Sequence, residues 1–322
     1  MDSQRRKTAV AWLSVFSNTT LVLLKLIIGM LIGSVSVISE AIHSGVDLLA
    51  AVIALFAVKT AGKPADEDHP FGHGKIENIS GTVEALLIFL AAGWIIYEAV
   101  KKLRSPHEAV GEAGLGVLIM LISAIANIVV SQQLFKVGKA TESVALQADA
   151  WHLRTDVYTS AGVMLGLAVI WVGQHFFHVD LHWVDPVAAI AVALLIIHAA
   201  WELTRQSARD LLDTSIPIEE EQWIRDYLCQ LYPTIRGFHH LRTRKAGNAR
   251  FVEYHLVVEA QMTVEASHRI AETTSDTIEA RFPNSHVIVH IEPCNGSCRL
   301  HCQRGCLLNE AGRDAMKQPS RM

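Results

Sequence analysis

The stretch Ser36-Val-Ile-Ser-Glu-Ala-Ile-His43-Ser-Gly-Val-Asp47 places ionisable side chains inside a long apolar segment. A second stretch, Ala148-Asp-Ala-Trp-His152-Leu-Arg-Thr-Asp156, lies in another apolar segment further along the chain. Each stretch has a histidine and an aspartate four residues apart, so both side chains point from one face of a helix. Ionisable groups inside a membrane are costly and are treated as functional by default. The two matched pairs therefore favour a functional site over incidental hydrogen bonds between helices.

Six apolar segments are long enough to cross a membrane as helices. The chain of 322 residues is 51% hydrophobic and 19% charged, with a mean hydropathy of +0.28, which is more apolar than a typical soluble domain. A helix needs roughly 20 apolar residues to cross a hydrocarbon layer of about 30 Å. We therefore predict a transmembrane domain over residues 1–208, with spans at 9–32, 35–58, 79–100, 114–134, 144–172 and 183–203.

Depth along the helices brings the two pairs to one level of the membrane. His43 and Asp47 lie roughly 8–12 residues into their segment from the outside, and His152 and Asp156 lie about as far into theirs from the inside. At a rise of about 1.5 Å per residue, both pairs fall ~12–18 Å deep, close to the midplane. Two nitrogens and two oxygens would suit a tetrahedral Zn²⁺ site. Three further intramembrane acids could be structural or functional: Glu40, Glu84 and Asp149.

Basic residues predict the orientation of the helices. An even number of spans puts both chain ends on the same side of the membrane. With both termini in the cytoplasm, the inner loops hold more Lys and Arg than the outer loops, in agreement with the positive-inside rule. The inner residues are Arg5, Arg6, Lys7, Lys59, Lys63, Lys75, Lys136 and Lys139, whereas the outer residues are Lys101, Lys102 and Arg104.

A small α+β domain is predicted over residues 209–293. Acidic residues 219–221 follow Ser215-Ile-Pro217 and mark the start of a helix. Runs 236–246 and 249–259 alternate in polarity around Gly247-Asn248, which indicates a β-hairpin. A second amphipathic helix at 264–282 and a strand at 287–291 complete the order αββαβ. The pI of about 6.5 and the lack of a basic stripe give no indication of nucleic-acid binding.

The two histidine–aspartate motifs resemble those of the cation diffusion facilitator family. The loop Asp66-Glu-Asp-His69-Pro-Phe-Gly-His73-Gly-Lys75-x-Glu77 is similar to the family's signature between its second and third helices. The resemblance covers residues of about 8–293. It implies a bacterial inner-membrane homodimer that is not an enzyme, exports divalent metal in exchange for protons, and carries a metallochaperone-like cytosolic domain. Members with His-x3-Asp on both helices are usually zinc transporters.

The resemblance also implies roles for residues of the inner loop. Asp66, His69 and His73 surround a Pro-Phe-Gly turn and would form a second zinc site on the cytoplasmic side, although a solvated polar loop is the alternative. Lys75 matches a lysine that pairs with an acid just after the sixth helix. Asp213 is the expected partner, and Asp210 is the alternative.

A further zinc site is implied in the cytosolic domain. His239 and His255 lie eight and seven residues from the Gly247-Asn248 turn, which makes them plausible neighbours across the hairpin. Glu292 stands where relatives often carry Asp, so its longer side chain leaves the bridging geometry open. The residues that match the family's binuclear zinc positions are His239, His255, His268, His290 and Glu292.

The C-terminal residues 294–322 carry a feature that is not associated with the family. They contain little that could form a core and are expected to be a flexible tail. Thiols spaced four apart would lie on one face of a helix, and on a cytosolic tail they could bind Zn²⁺, Cu⁺ or Cd²⁺. Metal binding and an inert tail are both open for Cys294, Cys298, Cys302 and Cys306.

These features together predict exchange of Zn²⁺ for protons by alternating exposure of the midplane site. Zn²⁺ requires neutral imidazole and ionised carboxylate, so loading the site displaces protons. The alternatives are a metal channel, a metal-sensing receptor and a transporter that also accepts Cd²⁺, Fe²⁺, Co²⁺ or Mn²⁺. An intramembrane metalloprotease would typically need His-Glu-x2-His, which the sequence lacks.

Overall fold

The computed structural model of the chain describes residues 3–32, 35–104, 114–172, 183–296 and 299–317. The chain divides into two compact units, Met1–Leu211 and Leu212–Met322. The first unit is helical, and the second combines three strands with short helices.

Within the described residues, the first unit has six long helices, as the apolar segments predict. Among the described residues, α1, α2, α3, α4 and α6 are long and apolar enough to cross a membrane, and α5 is 29 residues long. Large apolar side chains such as Phe16, Leu31 and Leu90 are exposed on the outside of the unit. The helices are α1 Ser3–Ile32, α2 Val35–Ala61, α3 Lys75–Arg104, α4 Gly114–Ala140, α5 Val144–Val172 and α6 Val184–Leu211.

Small residues let these helices pack closely. One buried cluster joins α3, α5 and α6 through alanines that have no exposed surface, together with Ile88, Ile196 and Leu203. Because lipid tails are as apolar as leucine, helices in a membrane gain most from close packing, which small side chains permit. The alanines of this cluster are Ala85, Ala92, Ala148 and Ala200.

A buried ion pair ties together the ends of the helices that are predicted to face the cytoplasm. The Lys7 ammonium of α1 lies 2.6 Å from a carboxylate oxygen of Glu77, and both side chains are almost completely buried. Ser143, just before α5, donates its hydroxyl proton to the other carboxylate oxygen of Glu77. Glu77 also lies in the first turn of α3, where the helix dipole favours a negative charge. The network therefore fixes α1, α3 and the start of α5 relative to one another.

The second unit is a three-stranded sheet with strand order β1-β2-β3, as the αββαβ pattern predicts. β1 and β2 form an antiparallel hairpin, whereas β2 and β3 run parallel. Their parallel pairing requires a crossover, which α8 supplies. The elements are α7 Ile218–Gln230, β1 Gly237–Ala246, β2 Ala249–Glu259, α8 Val264–Arg281 and β3 Ser285–Cys294.

A buried cluster holds the helices of this unit against the sheet. Ile224 and Leu228 of α7 and Ile278 of α8 belong to the same cluster as Tyr254 and Leu256 of β2, and none of these side chains is exposed. Thr263 caps α8 by accepting a hydrogen bond from a backbone N–H of its first turn. The packing leaves β1 as an edge strand of the sheet.

Residues beyond β3 differ from the flexible tail that the sequence predicts. They form two short helices, α9 Leu300–Arg304 and α10 Glu310–Lys317, and the segment after α9 pairs with the edge of β1. The Phe238 N–H donates to the Gly305 carbonyl, and the Leu307 N–H donates to the Arg236 carbonyl, both at 3.0 Å. A side chain at position 305 would collide with the Phe238 carbonyl, so glycine permits this approach. The unpaired groups of an edge strand explain why the segment lies there.

Glu77→Ala is expected to destabilise the first unit by about 3–5 kcal/mol, because it leaves the buried Lys7 ammonium without its partner. Reversible unfolding in mixed micelles would measure this change. Glu98→Ala is the matched control, since Glu98 forms an exposed ion pair with Lys101 on the same helix and should change stability by less than about 1 kcal/mol. Equal losses in the two variants would contradict the proposed role of the buried pair.

Candidate metal sites

The structure brings a residue of each intramembrane motif into contact. Asp47 of α2 and His152 of α5 are both buried, and the His152 Nε2 lies 3.1 Å from the Asp47 Oδ1. Asp156 lies one turn beyond His152 on α5 and interacts with it electrostatically. The side chain of His43 lies outside the described residues. One nitrogen donor and one carboxylate therefore meet between α2 and α5. Asp156 lies close by, although among the described residues these three side chains do not form a compact three-ligand cluster.

This donor set fits a divalent transition metal. Imidazole nitrogen and carboxylate oxygen are both zinc ligands, and burial removes the competing water. Without a metal, a hydrogen bond between His152 and Asp47 satisfies the imidazole Nε2 and one carboxylate oxygen. Ligand atoms of one tetrahedral zinc ion lie about 3.3 Å apart, so an ion could replace the shared proton with only a small change in this distance. Binding of a metal by His43, Asp47, His152 and Asp156 stays a prediction.

Lys25 is a buried neighbour of this region that the two sequence motifs do not predict. Its ammonium group on α1 donates a hydrogen bond of 2.7 Å to the Ser44 hydroxyl, and both side chains are buried. Ser44 lies three residues before Asp47 on α2. The available signal was a lone lysine inside an apolar segment, which is rare enough in membranes to be singled out.

The loop between α2 and α3 gathers its three predicted ligands. Asp66 Oδ1 lies 3.1 Å from the His69 Nδ1, and Asp66 Oδ2 lies 3.3 Å from the His73 Nε2. One ligand atom from each residue lies within 4.8 Å of the others. Gly72 has φ of +79°, which lets the chain turn between the two histidines.

Hydrogen bonding keeps the loop carboxylate ionised. The backbone N–H of His69 donates to Asp66 Oδ1 at 2.7 Å, and this bond is the main cause that lowers the pKa of Asp66. A side-chain hydrogen bond with His69 and the charges of His69 and His73 lower the pKa further. The group is therefore ready to bind a cation at neutral pH.

The predicted pair of Lys75 and Asp213 joins residues of different units and stays a prediction. Within the first unit, the Lys75 ammonium lies 3.5 Å from the Leu211 carbonyl, at the end of α6. The Asn78 side-chain amide donates to Asp210 at 2.9 Å. Within the second unit, Asp213 Oδ1 lies 3.4 Å from a guanidinium nitrogen of Arg244.

The second unit brings together three of its predicted ligands. His239 of β1 lies opposite His255 of β2, and β2 pairs with β3, which carries Glu292. Glu292 Oε1 lies 2.8 Å from the His255 Nδ1, and Oε2 lies 3.1 Å from the His239 Nε2. The longer side chain of glutamate therefore reaches both imidazoles, while the bridging of two zinc ions by Glu292 stays a prediction.

Among the described residues, the other two predicted ligands of this unit, His290 and His268, lie outside the three-ligand cluster. His290 pairs with His255 along β2 and β3, and its Nε2 lies 3.7 Å from Glu292 Oε1. His268 is exposed on α8, where its Nε2 lies 3.4 Å from Glu272. Among the described residues, His268 does not belong to the three-ligand cluster. Its role as a ligand stays a prediction.

His240 is an additional imidazole at this cluster. Its ring centroid lies 4.9 Å from the rings of both His239 and His255. The strand register shifts between His239 and Arg242, and His240 adopts a left-handed φ of +52°. The pair His239-His240 in a strand was the available signal, but alternation predicts opposite faces for consecutive residues. The irregularity in β1 could not be read from alternation alone.

The cysteines are dispersed along the end of this unit. Cys294 ends β3, Cys302 lies in α9, and Cys306 pairs with Gly237. Cys298 lies outside the described residues. In the part of the chain that the structure describes, no group of three or more candidate ligands includes a cysteine.

Replacement of His255 by alanine is expected to lower the zinc content of the full chain by about one ion, because His255 lies at the centre of the cluster. Equilibrium dialysis followed by metal analysis would measure the loss. His286→Ala is the matched control, since this imidazole is also on the sheet but stacks on Phe251. A loss of similar size in the control would contradict the assignment.

Glu292→Gln is expected to have an effect that depends on pH. Burial alone would raise the pKa of Glu292, but the hydrogen bond with His255 and the charges of His239, His255 and His290 outweigh it and lower the pKa below the ordinary 4.5. The stabilisation is therefore present above about pH 4.5 and is lost as the pH falls through the lowered value.

Amide exchange of β2 and β3 in the metal-free full chain provides the measurement. The substitution should speed exchange near pH 5, by an amount equivalent to less than about 1 kcal/mol because the group is partly exposed, and should have no effect well below the lowered pKa. An effect of the same size at both pH values would contradict the electrostatic account.

Both units of the chain match domains of known proteins. Residues 11–212 match the cation efflux transmembrane domain, and residues 216–294 match the cytoplasmic domain of cation efflux proteins. An uncharacterized transporter of Synechocystis sp. is 36% identical over 81% of this chain and 82% of its own length. The cation-efflux pump FieF of Citrobacter koseri is 31% identical over 85% of this chain and 89% of its own length.

A solved structure of CzrB, a candidate zinc transporter, is 34% identical, with a TM-score of 0.24 over 24% of this chain and 98% of that chain. The two domain matches together cover most of the sequence, and they follow one another in the order of the two structural units. This chain therefore belongs to the cation efflux family, also called the cation diffusion facilitators, and is a multi-pass membrane protein that exports divalent metal.

Proposed function

We propose that the chain exports Zn²⁺ from the cytoplasm of a bacterium, across the inner membrane, in exchange for protons. The observation that carries this proposal is the contact of 3.1 Å between His152 and Asp47, which joins the two motifs across α2 and α5. The name of the FieF relative, a cation-efflux pump, supports the direction of transport. His43 and Asp156 complete the proposed set of four ligands.

The chemistry of the donors favours zinc and links its transport to protons. Two imidazoles with two carboxylates match the tetrahedral preference of Zn²⁺. A metal can bind only when the imidazoles are neutral and the carboxylates are ionised, so protons and metal compete for the same atoms. A site that opens alternately to each side of the membrane would then exchange zinc for protons.

The proposed ligands lie on two separate helices, which suits alternating access. α2 carries one motif and α5 carries the other, so a small change in the packing of the two helices would open the site or close it. Transporter sites near the midplane commonly lie where two packed elements can move against each other. The buried Lys7–Glu77 pair would hold the inner ends of α1 and α3 together during this change.

The remaining sites are proposed to serve the cytoplasmic side. Asp66, His69 and His73 would bind zinc close to the inner opening of the pathway, and the cluster of His239, His255 and Glu292 would hold resident zinc in the cytosolic unit. The match of this unit to the family's cytoplasmic domain supports assembly as a homodimer with both termini in the cytoplasm. His268 and His290 would complete the cytosolic site.

Asp47→Ala is expected to reduce zinc flux at least about tenfold, because it removes a ligand from the transported ion. Flux into proteoliposomes under an imposed pH gradient measures it, and Asp156→Ala should behave alike. Thr20→Ala on the exposed face of α1 is the control. Flux at the parental rate in both aspartate variants would contradict the proposed site.

The same assay separates the proposal from its alternatives. A channel would carry zinc at a rate that does not depend on the pH gradient, and a receptor would carry none. Competition by Cd²⁺, Fe²⁺, Co²⁺ and Mn²⁺, repeated for His43→Asp, would measure selectivity. Replacing an imidazole by a carboxylate should favour the harder cations, Mn²⁺ among them.

A further inference from the structure

Two buried carboxyl groups lie on packed helices beside the proposed transport site, next to Ala85 and Ala148 of one buried cluster. Glu84 lies on α3 and Asp149 on α5, and neither residue has any exposed surface. Their carboxyl groups interact electrostatically across the contact between the two helices. Neither residue is one of the four proposed zinc ligands, so zinc binding alone gives neither of them a role.

The groups around Glu84 and Asp149 do not neutralise the negative charge of these carboxylates. The Ser80 hydroxyl donates to Glu84 Oε1 at 3.1 Å. Glu84 Oε2 and both carboxylate oxygens of Asp149 are buried and make no hydrogen bond of regular geometry among the described residues. The Ser14 hydroxyl of α1 is nevertheless close enough to Asp149 to stabilise its carboxylate. The other titratable groups that interact with Asp149, in the described part of the chain, are His152 and Asp47.

Two carboxylates at this depth cannot both stay ionised without a cation. Like charges held side by side raise the cost of the second ionisation, and burial raises the cost of both. A pair of this kind holds one proton between its two members and titrates as a unit. The donors are oxygen atoms alone, with no imidazole or thiol, so the pair lacks the nitrogen and sulfur donors that suit zinc.

The pair is close enough to the transport site for its charge to matter. Asp149 lies three residues before His152 on α5, and residues three apart on a helix have Cβ atoms about 5–6 Å from each other. Inside a protein, charges at such distances interact far more strongly than in water. A divalent cation bound to Asp47 and His152 would therefore weaken proton binding by Glu84 and Asp149. Departure of the cation would restore proton binding.

We propose that Glu84 and Asp149 form a proton-binding site, separate from the metal ligands, which releases its proton when zinc loads and regains it when zinc leaves. The inference rests on the proposed function, because it assigns part of the proton exchange to a particular place. The pair acts on the ion through its charge and not as a ligand. Glu84, on a different helix from the motif of α5, is the residue to change.

The test is the number of protons that move per zinc ion. The full chain is reconstituted in vesicles that contain a pH-sensitive dye, and zinc uptake and proton efflux are recorded together. Glu84→Gln should lower the ratio by about one proton, because an amide keeps the shape of the side chain but cannot release a proton. Glu84→Asp should keep the parental ratio. Glu98→Gln, an exposed residue of the same helix, is the control.

Each outcome decides the inference. An unchanged ratio of protons to zinc in Glu84→Gln overturns the inference. A second result also overturns it: Glu84→Gln loses zinc transport, Glu84→Asp restores it, and the residual flux keeps the parental ratio. That result would make Glu84 a zinc ligand. If Glu84→Gln does not fold, Asp149→Asn takes its place with the same expectation. Zinc flux in the parent without any counterflow of protons would instead overturn the proposed function.

Discussion

The contact between Asp47 and His152 is the constraint on which the membrane unit depends. It requires α2 and α5 to lie side by side at the depth where their polar residues occur. Carboxyl and imidazole groups at that depth are tolerated only if they face the interior and meet partners. The apolar faces of the helices then point outward, where large side chains such as Phe16 and Leu90 are exposed.

The same constraint explains the rest of the packing. Alanines along α3, α5 and α6 let these helices approach closely, which encloses Glu84 and Asp149 beside the proposed transport site. The Lys7–Glu77 ion pair fixes the start of α1 against the start of α3. Polar groups whose burial would be costly one by one are thus arranged in connected sets. In the cytosolic unit, strand register brings the imidazoles close to Glu292.

Much of this could be predicted from the sequence because it follows from periodicity and length. Apolar segments gave the long helices, and alternation gave the hairpin that brings His239 opposite His255. Contacts that depend on side-chain reach or on backbone irregularity could not be predicted. They include the span of Glu292 between two imidazoles, the left-handed His240, and the pairing of residues after α9 with β1.

The central claim is that a metal binds between α2 and α5. Anomalous scattering at the zinc edge from crystals of the full chain grown with Zn²⁺ tests it most directly. We expect a peak between these helices, with ligand atoms of Asp47 and His152 about 2.0–2.2 Å from it. Peaks confined to the loop of Asp66 and to the cytosolic cluster, with none between α2 and α5, would contradict it.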